Sequence, residues 1–180
     1  MDSTEFKKDF IESIKTAAAV TGEGSCASFV DNMAQYLIDT EALSDFTPSF
    51  YKGKSGRSNY RVDGYVYDEF DNTMNLIIAD FDGNDLERRL TGIAANKDFG
   101  LLMKFLDVAL TTNLYREIEM STPCADLVDL LRCNKEVIRK YRFIVFTDAD
   151  MSTAIKEVKI DDYNSIPVEG QIWDIDRLFR

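Results

Sequence analysis

Hydrophobic residues recur at Phe6, Phe10, Ile14 and Ala17 or Ala18. Steps of three to four residues put them on one side of a helix, so the pattern predicts a helix over residues 4–20. Asp2 and Glu5 have capping-box spacing, with Asp in place of the usual Ser or Thr. Thr21-Gly22-Glu23-Gly24 breaks this helix, and Ser25 can cap a second one through Phe29, Met33, Tyr36 and Leu37 to about Glu41. Residues 42–59 carry no clear period and read as an irregular, partly exposed connection. Two apolar, β-prone segments near 60–67 and 74–80 then flank an acidic turn region, Asp68 to Thr73, which predicts a hairpin.

Beyond the hairpin, Leu86 to Leu90 begins a helical region, and Phe99, Leu102, Phe105, Leu106, Ala109 and Leu110 form the stripe of a helix over about 97–111. Leu114 to Glu119 reads as helical. Thr122-Pro123 serves as N-cap and first turn of a helix carrying Leu127, Leu130 and Leu131. Tyr141 to Thr147 is almost continuously apolar, as in a strand covered on both faces. Strands are also predicted at 155–160 and 168–173, and Asp174 to Arg180 reads as the start of a helix. The expected fold is one α/β domain over residues 1–180, a mixed central β-sheet flanked by helices. The abrupt stop at Arg180 suggests the N-terminal part of a longer protein.

The hairpin carries the candidate chemistry. Asp63 interrupts its first strand, and Asp80 and Asp82 end its second. Asp80 and Asp82 share a face because side chains alternate with period two. A turn that sets Tyr67 opposite Leu76 would also set Asp63 opposite Asp80. Three carboxylates on one sheet surface repel one another and call for a metal, another cation or a proton. A pairing of the other parity would split them across two faces. The alternative is that the acids end strands and turns, satisfied by solvent, by backbone N–H groups or by Arg88 and Arg89. Glu12 and Glu41 could join the cluster, but they read first as exposed helix carboxylates.

The 180 residues are 45% hydrophobic and 12% aromatic, enough for a real core. The net charge of −11 repels nucleic acid as a whole, so any such contact needs a local basic patch. One candidate exists. No acid lies between Asp45 and Asp63, whereas Lys52, Lys54, Arg57 and Arg61 all fall there among Gly53, Ser55, Gly56 and Ser58. The stretch reads either as a flexible basic loop meeting phosphate beside the acids or as an ordinary solvated loop. It is no P-loop, because the first glycine of that motif would fall at Pro48 and a strand follows.

There is no histidine, which removes Ser-His-Asp and Cys-His catalysis and the common zinc-enzyme sites. Cys26, Cys124 and Cys133 form no CxxC pair and suggest reduced thiols in a cytoplasmic setting, with Cys124 and Cys133 buried as small hydrophobes. The N-terminus has no apolar signal core, and no apolar run approaches membrane-span length, so no membrane partner is expected.

An Asp on one strand and a carboxylate late on the next resembles the PD-(D/E)xK nuclease arrangement, in which such acids hold divalent metal and a lysine helps activate water. Asp63 matches the first acid, Asp80-Phe81 the next two places, and Asp82 stands where lysine should be. That resemblance implies a restriction-endonuclease-like sandwich. Three outcomes stay open: acids that are purely structural, an inactive nuclease-like relic, or an active site using Asp63, Asp80 and Asp82 with Mg²⁺ or Mn²⁺ held by Asp63 and Asp80.

Arg61-Val62-Asp63-Gly64-Tyr65-Val66-Tyr67-Asp68 followed by Asn75-Leu76-Ile77-Ile78-Ala79-Asp80-Phe81 resembles the N-terminal domain of abortive-infection phage-resistance proteins. Gln171-Ile172-Trp173-Asp174-Ile175-Asp176-Arg177-Leu178-Phe179 is similar to the segment that leads into that family's larger defining region. The resemblance covers about residue 5 to the end. It implies a bacterial, cytoplasmic protein of antiviral defence, whose nuclease-like domain acts through nucleic acid or its own C-terminal region. A structural or oligomerisation module is the further alternative. Trp173 has a plain role as a buried apolar body, with Asp174 or Asp176 pairing with Arg177 or capping a helix.

Overall fold

The computed structural model describes residues 1–22, 24–151 and 158–179. Helix α1 runs Ser3–Thr21 and α2 Ser25–Asp39. Strands β1 (Thr47–Ser55), β2 (Ser58–Asp68), β3 (Thr73–Asp80) and the two-residue β4 (Arg89–Leu90) follow. Helices α3 (Gly92–Thr111), α4 (Leu114–Glu117) and α5 (Cys124–Asn134) precede β5 (Lys140–Thr147), β6 (Asp150–Met151), β7 (Val168–Asp174) and α6 (Ile175–Phe179). The main sheet has the order β1-β2-β3-β5-β7. Its first three strands are an antiparallel meander, while β5 and β7 join parallel. The mixed α/β sheet flanked by helices is the fold class the sequence predicted.

Two cores lie on the two sheet faces, and strand alternation divides them. Ile77, Ala79, Ile144 and Phe146 pack with Phe10, Ile14, Phe29, Met33 and Leu37 of α1 and α2. Leu76, Ile78, Phe143 and Val145 pack with Phe105, Leu106, Leu127 and Leu131 of α3 and α5. Strand β5 is therefore covered on both faces, as its apolar run requires. The capping box of α1 is present, with the Asp2 carboxylate accepting from the Glu5 backbone N–H, and Gly22 closes the helix at φ +74°.

Several boundaries differ from expectation. Residues 42–59 are not an irregular connection: they contain β1, a nine-residue edge strand. Its signal is weak because the inward positions Ser49, Tyr51, Gly53 and Ser55 include one large apolar residue, while Phe50 faces outward. Tyr51 stacks on Tyr60, and Gly53 pairs with Tyr60 so closely that a Cβ there would meet the phenol ring. Ser25 does not cap α2. Gly24 stands at the N-cap without a side-chain bond, and the helix stops at Asp39. Residues 86–90 form no helix but a turn and β4, while α3 starts at Gly92 under Thr91, whose hydroxyl accepts from Ala94 N–H. Helix α5 starts one residue later than Thr122-Pro123 implied, with Pro123 at the N-cap. Cys124 is buried as expected, but Cys133 is exposed. The predicted strand 155–160 lies half outside the described residues; within them Lys159 makes one isolated bridge to Glu169.

Candidate functional site

The β2–β3 turn sets the register of the acids. Asp68 pairs with Thr73 and Tyr67 with Met74, leaving a four-residue turn with Asn72 at φ +55°. The Asp68 carboxylate accepts from Phe70 N–H and the Asp71 carboxylate from Thr73 N–H, which tightens the turn. Tyr67 therefore does not face Leu76. The parity is the one that could have joined the acids, but the register is two residues shorter, so extending the ladder would place Ile78, not Asp80, across from Asp63. The ladder itself ends at Gly64 and Ile77. There β2 is irregular. Val62 and Tyr65, three residues apart, both meet the α3–α5 core, while Val66 meets the opposite one. The β1–β2 register shifts at the same level, between Pro48 and Tyr51. Gly64 is needed there because a Cβ would lie about 2.3 Å from the Phe46 ring.

Each predicted acid has a different partner. Asp63, 6% exposed, accepts from Arg61 Nη2 at 3.0 Å and from the backbone N–H of Ala79 at 2.8 Å. Asp80 accepts from Arg88 Nη1, at 3.1 Å to each carboxylate oxygen. Asp82 is exposed and accepts from the backbone N–H groups of Asp85 and Asn84, which hold its carboxyl below the usual range. Glu12 and Glu41 are exposed.

Two further carboxylates that the hairpin pattern did not reveal complete the group. Asp148 is 1% exposed and follows β5, whose Thr147 pairs with Asp80 across the parallel ladder. It accepts from Arg88 Nη2 at 2.6 Å, Gly83 N–H at 2.7 Å and Asp82 N–H at 3.1 Å. Arg88 also donates to the Asp80 carbonyl. One guanidinium thus ties the end of β3, the end of β5 and the loop between β3 and β4. The C-terminal ends of parallel strands gather polar residues in this manner, and that was the available signal for Asp148. Asp98 comes from α3, with nothing in its sequence context to single it out. Its Oδ2 is buried and has no hydrogen-bond partner among the described residues. Burial, then the charge of Asp80, pushes its carboxyl up to about 7, against the opposing pull of Arg61 and Arg88.

Asp98 gives the stability a specific pH dependence. Its folded pKa lies above its unfolded value of 3.8, so the folded state holds the proton longer. Stability is lost as pH rises from about 4 through about 7, and the loss is complete above that. Asp98→Asn should match the parent near pH 4 and exceed it at pH 8. The gain should be about 1 kcal/mol, after discounting for the solvent that reaches this half-buried group. Denaturant midpoints at the two pH values check this, and equal differences at both would refute it.

The arrangement does not fit a divalent metal. Arg88 and Arg61 already occupy Asp80, Asp148 and Asp63, two cations against three carboxylates, and among the described residues no three His, Cys, Asp or Glu side chains converge as cation ligands. The predicted basic residues lie elsewhere. Lys52 pairs with Arg61 across β1 and β2, so the two share a sheet face, and Lys54 lies two residues further along it. Arg57 sits in the two-residue loop closed by Ser55 and Ser58, where Gly56 takes φ +62°. Arg61 alone reaches the acids. At the far end of the sheet, Asp174 accepts from Arg177 N–H and Met151 N–H, and the Arg177 guanidinium lies 3.6 Å over the Trp173 ring. The Asp174 cap is a role the sequence suggested, while Trp173 is only partly buried and carries Arg177 on its ring.

A family model described as abortive infection phage resistance protein N-terminal domain matches residues 29–180. The chain belongs to this family. The match takes in the acidic hairpin, β5 and the Trp173 segment, and it ties the domain to abortive infection phage resistance. No curated protein and no solved structure matches the chain. Among the described residues no helix of this N-terminal domain is long and apolar enough to cross a membrane.

Proposed function

We propose that this domain serves phage resistance as a nuclease-like module that does not cut, and that it acts by contact with nucleic acid through the β1–β2 hairpin. The carrying observation is Arg88, which pairs with Asp80, one of the two acids that would hold the metal, and ties it to the buried Asp148. An ammonium at Asp82 is also missing, and Asp82 is spent on its own loop. Nucleic-acid contact is supported by Lys52, Lys54 and Arg57, all exposed and without an ion pair among the described residues. Contact with the protein's own C-terminal region is the second route. It is supported by the aromatic group of Phe6, Tyr36 and Phe179, the last two 39% and 41% exposed. The same group would serve an oligomerisation module. A cytoplasmic setting fits three free cysteines, and a bacterial one fits a role in phage resistance.

The alternative is a divalent-metal nuclease using Asp63, Asp80 and Asp82 with Mg²⁺ or Mn²⁺, and it requires both arginines to withdraw. Calorimetric titration with Mn²⁺ separates the two, with Asp63→Asn and Asp80→Asn as controls. The parent should show no saturable binding. Saturable binding that both substitutions abolish would favour the cutting enzyme instead.

A further inference from the structure

We infer that the uncovered face of the β1–β2 hairpin takes single-stranded nucleic acid, with a base stacked on Phe50 and the phosphate backbone carried along Lys52 and Lys54. This rests on the reading of the domain as a nucleic-acid-contacting module and names its ligand.

Beyond the irregularity near Pro48, β1 alternates cleanly. Tyr51, Gly53 and Ser55 lie on the α3–α5 side, where Tyr51 packs against the core. Phe50, Lys52 and Lys54 therefore share the other face, about 7 Å apart along the strand. Helices α1 and α2 cover that face over β2, β3 and β5, and their edge is marked where Arg61 Nη2 reaches Cys26 Sγ at 3.4 Å. Past this edge the sheet is bare. Phe50 is 51% exposed, and the Arg61 guanidinium stands 5.5 Å from its ring centroid. Arg61 is itself neutralised by Asp63, so it positions the ring and leaves the attraction to Lys52 and Lys54.

Charge and shape choose the ligand. In a chain of net charge −11, residues 46–62 hold no acid and, beside the paired Arg61, the three cations Lys52, Lys54 and Arg57, so an anion can approach this strip while the rest of the surface repels it. A flat aromatic ring beside a short cationic track suits unpaired bases, which stack on aromatic faces without regard to sequence. In a duplex those faces are occupied by neighbouring bases. Lysines on an edge strand have another use, guarding against pairing with a second sheet, and the test must separate the two.

Fluorescence anisotropy of the protein with labelled single-stranded oligothymidine and oligouridine of about 12 nucleotides, and with a duplex of equal length, does so. Single strands should bind more tightly than the duplex, and an oligodeoxyuridine set beside the oligouridine reports whether the sugar matters. Phe50→Ala should weaken single-strand binding about tenfold, and Phe50→Trp should preserve it. Replacing Lys52 and Lys54 together with Gln should reduce the salt slope by about 1.4. Equal binding of duplex with no effect of Phe50→Ala would overturn the single-strand inference while leaving nucleic-acid contact standing. Absence of binding to any oligonucleotide would overturn both. Self-association of the Lys52/Lys54 variant with unchanged oligonucleotide binding would assign those lysines to edge protection and overturn the track. Unchanged thermal midpoints confirm that the half-exposed Phe50 was replaced without unfolding.

Discussion

Arg88→Ala should destabilise the domain by about 3 kcal/mol, a loss of roughly 6–12 °C in Tm for a chain of this size. The guanidinium is 27% exposed, but the carboxylate it meets at Asp148 is 1% exposed and cannot turn to water. Removing the cation leaves Asp148 with only the N–H groups of Asp82 and Gly83, and sets it beside Asp80, which keeps the Thr147 hydroxyl and some solvent. The cost is set by the stranded charge more than by the lost bonds, and it sits at the low end of the usual range because solvent still reaches Asp80. Arg88→Lys should recover only part of the loss, since an ammonium cannot span both carboxylates as the planar fork does. The same variant tests the site's identity. The hole left by Arg88 is flanked by two carboxylates, so millimolar Mn²⁺ should raise the Tm of Arg88→Ala and leave the parent unchanged. A variant as stable as the parent would show that Arg88 does not hold β3, β5 and the intervening loop together.

Phe146→Ala should cost about 3–5 kcal/mol, the usual range for truncating a fully buried aromatic residue. Phe146 is 0% exposed on β5, between Ala79 of β3 and Trp173 of β7, and it faces the helices α1 and α2. Its removal leaves a cavity beneath that layer, and the rigid parallel strands on either side cannot close over it. Phe70 provides the contrast. It is 99% exposed at the tip of the β2–β3 turn, so Phe70→Ala should shift stability by no more than about 0.5 kcal/mol. Urea midpoints for the two variants measure the difference. Similar losses at both positions would mean that the sheet is not covered by α1 and α2 in the manner described.

Local pattern was enough to read much of this protein. The stripe Phe10, Ile14 and Ala18, the Asp2–Glu5 cap and the apolar run of β5 each announce their element, because helical and strand periods are properties of neighbouring residues. The hairpin was legible for the same reason, and the family through its strand motifs, but the relative facing of Asp63 and Asp80 was not, since either pairing fitted the pattern. Strand β1 was not, since Lys52 and Lys54 on its bare face and Gly53 against Tyr60 dilute any alternation. Nor was the partner of each acid. Whether Asp63 faces Asp80 or Ile78 depends on a four-residue turn, and whether Asp80 meets a metal or an arginine depends on where the β3–β4 loop returns Arg88. Asp148 and Asp98 lie far along the chain from the hairpin and join it only when β5 pairs with β3 and α3 folds over the sheet. Sequence alone determined the long helices, the β2–β3 hairpin, the doubly covered β5 and the family. The site was decided by tertiary structure, because charges act through space while periodicity acts along the chain.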